Sequence, residues 1–246
     1  MTDLRNDVIV AAGGTGNIGT HVVRALLEAG ATVAVPSRAS EKGTDLKAFL
    51  GERLDEEKLA RLAIFVGDLS DQEGGTRLVD EIVSTVGDPT GAVASLGRFV
   101  AAPSLLEAHP SDLRDALEGY TVAHFMAARA LIPAVRRGGG TYVFINGPLA
   151  IGPWKDSGAG LVSVATAGQQ MLFRALAQEL EDANTSLVEL VVHAFVRNRE
   201  TQPGSPFPAE AVGRYVAHLL AERPSTHHGE SIQLDSADVL HEAGVA

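Results

Sequence analysis

A glycine-rich turn between an apolar run and an amphipathic segment most constrains how this chain folds. Residues 8–11 are short, β-branched and bounded by glycine, as is typical of a buried parallel strand. Gly13, Gly16 and Gly19 follow, and residues 18–29 have helical periodicity. The first glycine allows the chain to turn sharply, and the second allows a phosphate to approach the backbone closely. The third allows the helix to pack closely against the strand. Because the N–H groups at a helix N-terminus attract a pyrophosphate, the stretch predicts a dinucleotide site, with a purely structural turn as the alternative.

Strand and helix signals alternate along the rest of the chain, with no linker long enough to separate two domains. The predicted strands are 8–11, 31–35, 64–66, 91–95, 142–145, 187–192 and 231–234. The predicted helices are 18–29, 45–62 with a break near Gly51, 71–86, 111–137 with Ser111 as N-cap, 161–181 and 209–221. This alternation predicts one α/β domain over residues 1–246, a doubly wound seven-stranded parallel sheet with helices on both faces. Ligands of such sheets bind at the carboxyl ends of the strands.

Composition narrows the class of protein. The chain has 246 residues, a net charge of -11 and no cysteine. The acidic balance argues against a nucleic-acid partner, and the missing cysteines exclude disulfides and thiolate metal sites. No apolar run is long enough to cross a bilayer, and the first residues lack the apolar core of a signal peptide. We therefore expect a cytoplasmic protein that acts on a small-molecule substrate, does not bind a membrane and has no metal site.

Several motifs resemble those of the short-chain dehydrogenase/reductase family. They are residues 12–19, 68–69, 129–133, 175–180 and 229–235, which together span nearly the whole chain. The resemblance implies a Rossmann fold and an NAD(P) cofactor, and it implies helices 111–137 and 161–181 as faces of a homodimer or homotetramer. Asn17 departs from the commonest glycine pattern, which has glycine there. The implied cofactor-binding residues are Gly13, Thr15, Gly16, Asn17, Ile18, Gly19, Ser37, Arg38, Asp68, Leu69, Ser95 and Asn146.

The residue after the second predicted strand bears on the choice of cofactor. An acidic residue there would bind the ribose hydroxyls of NAD, whereas a positive one accommodates the 2′-phosphate of NADP. Arg38 occupies this place, and Asp45 comes seven residues later. We therefore expect NADP as the cofactor, bound through Ser37 and Arg38, in preference to NAD. The alternative is that Arg38 is a solvated surface arginine.

The catalytic pattern of the family is missing. The family pairs a tyrosine with a lysine one helical turn later, which lowers the phenol pKa, and adds a serine after the fifth strand. The three tyrosines here are followed four residues on by His124, Asn146 and Leu219, so no such pair exists. The alignment places Gly147, Val162 and Thr166 at the serine, tyrosine and lysine positions. The proton chemistry therefore needs other residues or is lost.

Other side chains could substitute. Tyr120 aligns with the family's assisting asparagine and could donate a proton, tuned by His124 one turn later, unless both pack at a subunit interface. His193 ends the sixth predicted strand and is either a catalytic or a hydrogen-bonded structural residue. The remaining candidates to line the site are Trp154, Lys155, Asp156 and Ser157, or else a plain surface loop, together with Ser163 and Thr166.

The leading interpretation is an NADP(H)-binding oxidoreductase with non-standard catalytic residues, for which Tyr120 and His193 are the candidate proton donors. Two other classes stay open at this point. One is a non-redox scaffold or sensor, and the other is a cyclase or lyase that holds a static cofactor.

Overall fold

The computed structural model describes residues 2–98, 104–152, 158–181, 184–222 and 225–245. Its strands are β1 (Val8–Ala12), β2 (Thr32–Ser37), β3 (Leu62–Val66), β4 (Gly91–Ala94), β5 (Thr141–Asn146), β6 (Ser186–Val192), β7 (Val196–Arg197), β8 (Glu200–Thr201) and β9 (Ser231–Leu234). Its α-helices are α1 (Asn17–Glu28), α2 (Ser40–Gly51), α3 (Glu56–Leu59), α4 (Gln72–Val86), α5 (Pro110–Leu117), α6 (Ala123–Gly138), α7 (Gly160–Glu179), α8 (Ala209–Ala221) and α9 (Ala237–Glu242). Trp154, Lys155, Asp156 and Ser157 lie outside the described residues.

Seven parallel strands form the central sheet in the order β3-β2-β1-β4-β5-β6-β9. The central strands are buried on both faces because helices cover each side, which explains their continuous apolar runs. The order reverses between β1 and β4, so the loops after these strands part and leave a crevice. The predicted doubly wound α/β sheet is confirmed.

The helices bury two separate cores. On one face, α1, α2 and α8 cover the sheet; on the other, α4, α6 and α7 do so. Helices α1 and α8 approach so closely that a Cβ on Gly213 would lie 2.2 Å from the backbone oxygen of His21. This close contact fixes α1, and with it the glycine-rich turn, against the sheet.

The bounds predicted for the second helix, 45–62, are wrong at both ends. The second helix begins at Ser40 rather than at 45, and Gly43 packs directly against Ile64 of β3. The amphipathic signal of its first turn is weak, so sequence periodicity misses it. The helix also does not reach residue 62, because Leu62 already belongs to β3.

The predicted helix 111–137 is interrupted, and its N-cap is His109 rather than Ser111. Pro110 is the first helical residue, so the cap falls on the residue before it, and the imidazole of His109 accepts from the backbone N–H of Ser111. Residues Glu118–Val122 then form a π-helical turn between α5 and α6. Such turns are frequent at functional sites, and this one carries Tyr120.

Candidate functional site

A cavity of about 1510 Å³ opens where the loops after β1, β4, β5 and β6 meet. It lies at the carboxyl ends of the strands, beside the reversal in strand order, where ligands bind in open α/β sheets. Most of the predicted site residues line it: Thr15, Gly16, Asn17, Ile18, Ser95, Tyr120, Asn146, Gly147, Val162, Thr166 and His193. The structure therefore brings half of the predicted cofactor-binding residues and both candidate proton donors to one cleft.

The glycine-rich turn has the geometry that a phosphate needs. A Cβ on Gly13, whose φ is +79°, would lie 2.1 Å from the oxygen of Ser95, and one on Gly19 would lie 2.1 Å from the oxygen of Gly13. These two glycines therefore serve packing. Gly16 is the N-cap of α1, and no side chain caps the helix. The first N–H groups of the helix therefore face the cleft without a side-chain acceptor, which suits an anion.

The four predicted contacts at the other end of the groove do not line this cavity. Arg38 is exposed directly after β2, and its guanidinium has no partner among the described residues. Ser37 is buried and its hydroxyl donates to the oxygen of Ala39 at 2.8 Å. The carboxylate of Asp68 accepts from Ser70, and Leu69 packs against the sheet. Of these four residues, Arg38 is the one that offers a free positive charge to a ligand.

A buried carboxylate that the sequence reasoning missed supports the cleft floor. Glu189 of β6 is fully shielded from solvent, and its oxygens accept from Asn146 at 2.9 Å, Gln170 at 3.2 Å and Ser231 at 2.6 Å. Asn146 also donates to the oxygen of Thr166 at 3.2 Å. The network joins β5, β6, β9 and α7 beneath the site. An acidic residue inside the apolar run 187–192 was the available signal.

Tyr120 lies on the cleft wall, and its ring packs closely against Gly97. A Cβ on Gly97 would come within 2.3 Å of a ring carbon, and the φ of Gly97 is +108°. Burial raises the pKa of Tyr120 to about 12, while the charge of Arg98 acts in the opposite direction. The phenol therefore stays protonated at neutral pH and is a hydrogen-bond donor rather than a tuned acid.

The prediction that His124 tunes Tyr120 is wrong. His124 is fully buried, stacks on Phe144 at 5.7 Å, and its Nε2 donates to the oxygen of Leu96 at 3.4 Å. Burial lowers its pKa to about 4. Since the ring is buried within one chain, the alternative that it packs at a subunit interface is also wrong. Helical spacing placed both residues near the cleft, but α6 turns His124 into the core.

The other candidate side chains differ in their access to the cleft. His193 lines it, and its Nε2 lies 3.3 Å from the side-chain oxygen of Gln233 on β9. Thr166 also lines it, but its hydroxyl donates to the oxygen of Val162 at 2.8 Å. Ser163 is buried and is not part of the lining. His193 therefore joins Tyr120 as a side chain that can face a ligand.

A short hairpin, made of β7 and β8, lies over the N-terminus of α1. Asn198 and Arg199 form its turn with φ values of 51° and 63°. Asn17 accepts from the N–H of Arg199 at 3.1 Å, and the imidazole of His21 lies 3.0 Å from the oxygen of Arg199. Two side chains one helical turn apart thus hold both backbone groups of one residue. The departure at Asn17 from the family's glycine pattern was the available sequence signal.

These features, a doubly wound sheet with a cleft over a glycine-rich turn, define a dinucleotide-binding class of protein. A family model described as enoyl-(acyl carrier protein) reductase matches residues 12–199. The chain belongs to this family of short-chain dehydrogenases/reductases.

The individual proteins that this chain resembles have low sequence identity to it. A 3-phenylpropionate-dihydrodiol/cinnamic acid-dihydrodiol dehydrogenase of Photorhabdus laumondii is 27% identical over 185 residues, which are 73% of this chain and 62% of that protein. The chain thus matches less than two thirds of that relative's length. A similar protein of Escherichia coli O157:H7 is 26% identical over 73% of this chain and 64% of its own length.

Solved structures share the fold. A short-chain oxidoreductase of Pseudomonas aeruginosa PAO1, described as containing an atypical catalytic center, has a TM-score of 0.81 at 22% identity and covers 95% of this chain and 97% of its own. L-Sorbose reductase of Gluconobacter frateurii, complexed with NADPH and L-sorbose, has a TM-score of 0.80 at 18% identity, with 96% and 97% covered. In the described part of our chain, no helix combines the length and apolar character needed to span a membrane.

Proposed function

We propose that this chain binds NADP(H) as an oxidoreductase whose catalytic centre is degenerate. The observation that carries the proposal is the position of Gly147, Val162 and Thr166, which the resemblance aligns with serine, tyrosine and lysine. All three line the cleft, and an ideal Cβ on Gly147 would have no described residue within 4 Å apart from its chain neighbours. There is space for a side chain at Gly147, while the residues at the other two positions supply neither phenol nor ammonium.

The cofactor proposal rests on the fit of the groove. The uncapped N-terminus of α1 suits a pyrophosphate, and the exposed guanidinium of Arg38 suits a 2′-phosphate. No acidic residue follows β2 where NAD would need one. Two of the similar structures are described with NADPH bound, namely the sorbose reductase and the Pseudomonas oxidoreductase. When bound, the cofactor supplies or accepts a hydride. A cytoplasmic location stays a prediction from the cysteine-free composition.

The proton donors we propose are Tyr120 and His193, which line the cleft. Burial holds the pKa of Tyr120 near 12, in the direction opposite to the one that makes a phenol a good acid. The reaction should therefore be slow with ordinary ketones and aldehydes. The named relatives act on dihydrodiols of phenylpropionate and cinnamic acid, so an oxidation of vicinal diols is one candidate reaction. The alternative functions, a non-redox scaffold or a lyase, predict cofactor binding with no hydride transfer at all.

The cofactor choice has a direct test. Titration of the protein with NADPH and NADH, followed by fluorescence, should give about a tenfold or greater preference for NADPH, because a charge-assisted hydrogen bond contributes about 1.5–3 kcal/mol. The Arg38→Ala substitution should weaken the binding of NADPH and leave the binding of NADH unchanged. Arg77→Ala, at an exposed position on α4, is the matched control. Equal binding of the two cofactors, or an unchanged ratio in Arg38→Ala, would refute the assignment.

A further inference from the structure

Arg98 presents a positive charge to the cleft, and no described residue pairs with it. Its side chain is exposed and contributes to the cavity wall. Among the residues that the structure describes, it has neither an ion-pair partner nor a hydrogen bond. Two other arginines line the cavity, both on the β7–β8 hairpin at the α1 end. Arg199 is held by the oxygen of Asp45 at 3.3 Å and by the ring of Phe49 at 5.1 Å, whereas the exposed Arg197 has no side-chain partner among the described residues.

The backbone at the end of β4 fixes where this charge lies. Gly97 has a positive φ and lies against the Tyr120 ring, so no other residue fits there without a clash. Arg98 follows directly. Because Gly97 contacts the ring, Arg98 begins next to Tyr120, and its charge lowers the phenol pKa against the larger effect of burial. The guanidinium therefore lies near Tyr120, and this corner of the cleft contains two hydrogen-bond donors.

The charges around the cleft are unevenly distributed. The carboxylates that line it, among the described residues, are Asp45 and Glu52, and both belong to or directly follow α2. The half that contains Tyr120 and Gly147 has Arg98 and no described carboxylate in its wall. In a chain with a net charge of -11, this is a local reversal of sign. A cation without a counter-ion in a cleft attracts and orients an anionic ligand.

We propose that Arg98 binds the carboxylate of the substrate, whose carbonyl lies towards Tyr120 and Gly147. The substrate class is then an oxo acid, or a hydroxy acid in the reverse direction. Reduction adds a hydride from NADPH to the carbonyl carbon and a proton to its oxygen, which gives the hydroxy acid and NADP⁺. A planar guanidinium suits this task because it pairs with a carboxylate through two parallel hydrogen bonds. This inference rests on the proposed function.

The test is a binding measurement, so it needs no turnover. Benzoylformate and its methyl ester, and pyruvate and its methyl ester, are titrated by calorimetry into the full chain saturated with NADP⁺. Each pair differs in the negative charge, while the carbonyl stays the same. We expect each acid to bind at least about tenfold more tightly than its ester, as a charge-assisted bidentate contact predicts.

Arg98→Gln should remove this preference by weakening the binding of the acids about tenfold, while the affinity for the esters changes less than twofold. Arg98→Lys should keep part of the preference. Arg77→Gln controls for the loss of one surface charge. If the acids bind no more tightly than the esters, or Arg98→Gln binds the acids as wild type does, the proposal is overturned. A loss of NADP⁺ affinity in Arg98→Gln would instead assign Arg98 to the cofactor and also overturn it. Failure of the wild type to bind NADP⁺ at all would refute the proposed function itself.

Discussion

At the residue scale, His124 shows how burial of a titratable side chain makes the stability of the fold depend on pH. Its ring lies between Phe144 and the end of β4 with no exposure to solvent, and its Nδ1 has no described partner. Burial lowers its pKa from 6.5 to about 4. The unfolded chain therefore binds a proton between these two pH values that the folded chain does not bind.

The stability contributed by the neutral His124 is present above about pH 6.5 and is lost as the pH falls towards 4. Between pH 6.5 and 5, wild type should lose about 2 kcal/mol more in its free energy of unfolding than His124→Gln, because one proton contributes about 1.4 kcal/mol per pH unit. Urea denaturation at several pH values measures both slopes. The difference at pH 7.5 reports the packing cost of the substitution alone. Equal slopes in the two proteins would contradict the lowered pKa.

At the element scale, the β7–β8 hairpin depends on α1 for its position. Asn17 accepts the N–H of Arg199, and its amide nitrogen lies 3.4 Å from the oxygen of Val196. The turn contains Arg199 at a positive φ, a conformation that costs an ordinary residue about 1 kcal/mol or more. The contacts from α1 offset this cost and keep the hairpin over the glycine-rich turn.

Asn17→Ala should release the hairpin without unfolding the domain. Amide hydrogen exchange at Arg199 should accelerate about fivefold or more, since the loss of one hydrogen bond costs about 1 kcal/mol. Arg24→Ala is the matched control, because Arg24 lies on the same helix and pairs with Glu28 instead. Unchanged exchange at Arg199 in Asn17→Ala would show that other contacts hold the hairpin.

Most elements could be predicted from local sequence patterns, whereas contacts between residues far apart in the chain could not. The glycine-rich turn and the buried strands follow from neighbouring residues, so the sheet and the cofactor groove could be inferred from the sequence. The contact between Asn17 and Arg199 joins residues 182 positions apart, and the Glu189 network joins four elements. Neither has a periodic signal. His124 was misplaced because spacing gives the face of a helix but not what packs against it.

At the scale of the whole molecule, α6 and α7 expose apolar side chains that a single chain leaves uncovered. Val164 and Met171 on α7 and Phe125 on α6 are 45%, 60% and 42% exposed. Val164 and Met171 lie two helical turns apart, on one face of α7. Exposed apolar side chains on one face of α7, with another on α6, are typical of an interface. We propose that the chain forms a homodimer, or a tetramer with dihedral symmetry, through these helices.

Light scattering at micromolar concentration should therefore give a multiple of the 25.7 kDa chain mass. Met171→Glu should shift the population towards the monomer, because it places a charge in the buried interface. Val66→Glu changes an equally exposed apolar residue on β3 and should leave the assembly intact. A wild-type mass near that of one chain would reject the proposal.

A protein that keeps the cofactor groove but has lost the acid–base chemistry of the family should bind NADPH and turn over slowly, so wild-type turnover is the decisive measurement. Purified protein with saturating NADPH is followed at 340 nm against a broad panel of ketones and aldehydes that carry no carboxylate. Enzymes commonly turn over at about 10 s⁻¹, and general acid–base catalysis contributes about 10²–10⁴-fold. We predict tight NADPH binding with turnover below about 0.1 s⁻¹ on every simple carbonyl in the panel. Turnover near 10 s⁻¹ would contradict the account, and it would contradict our choice of proton donors as well if Tyr120→Phe and His193→Ala left it unchanged.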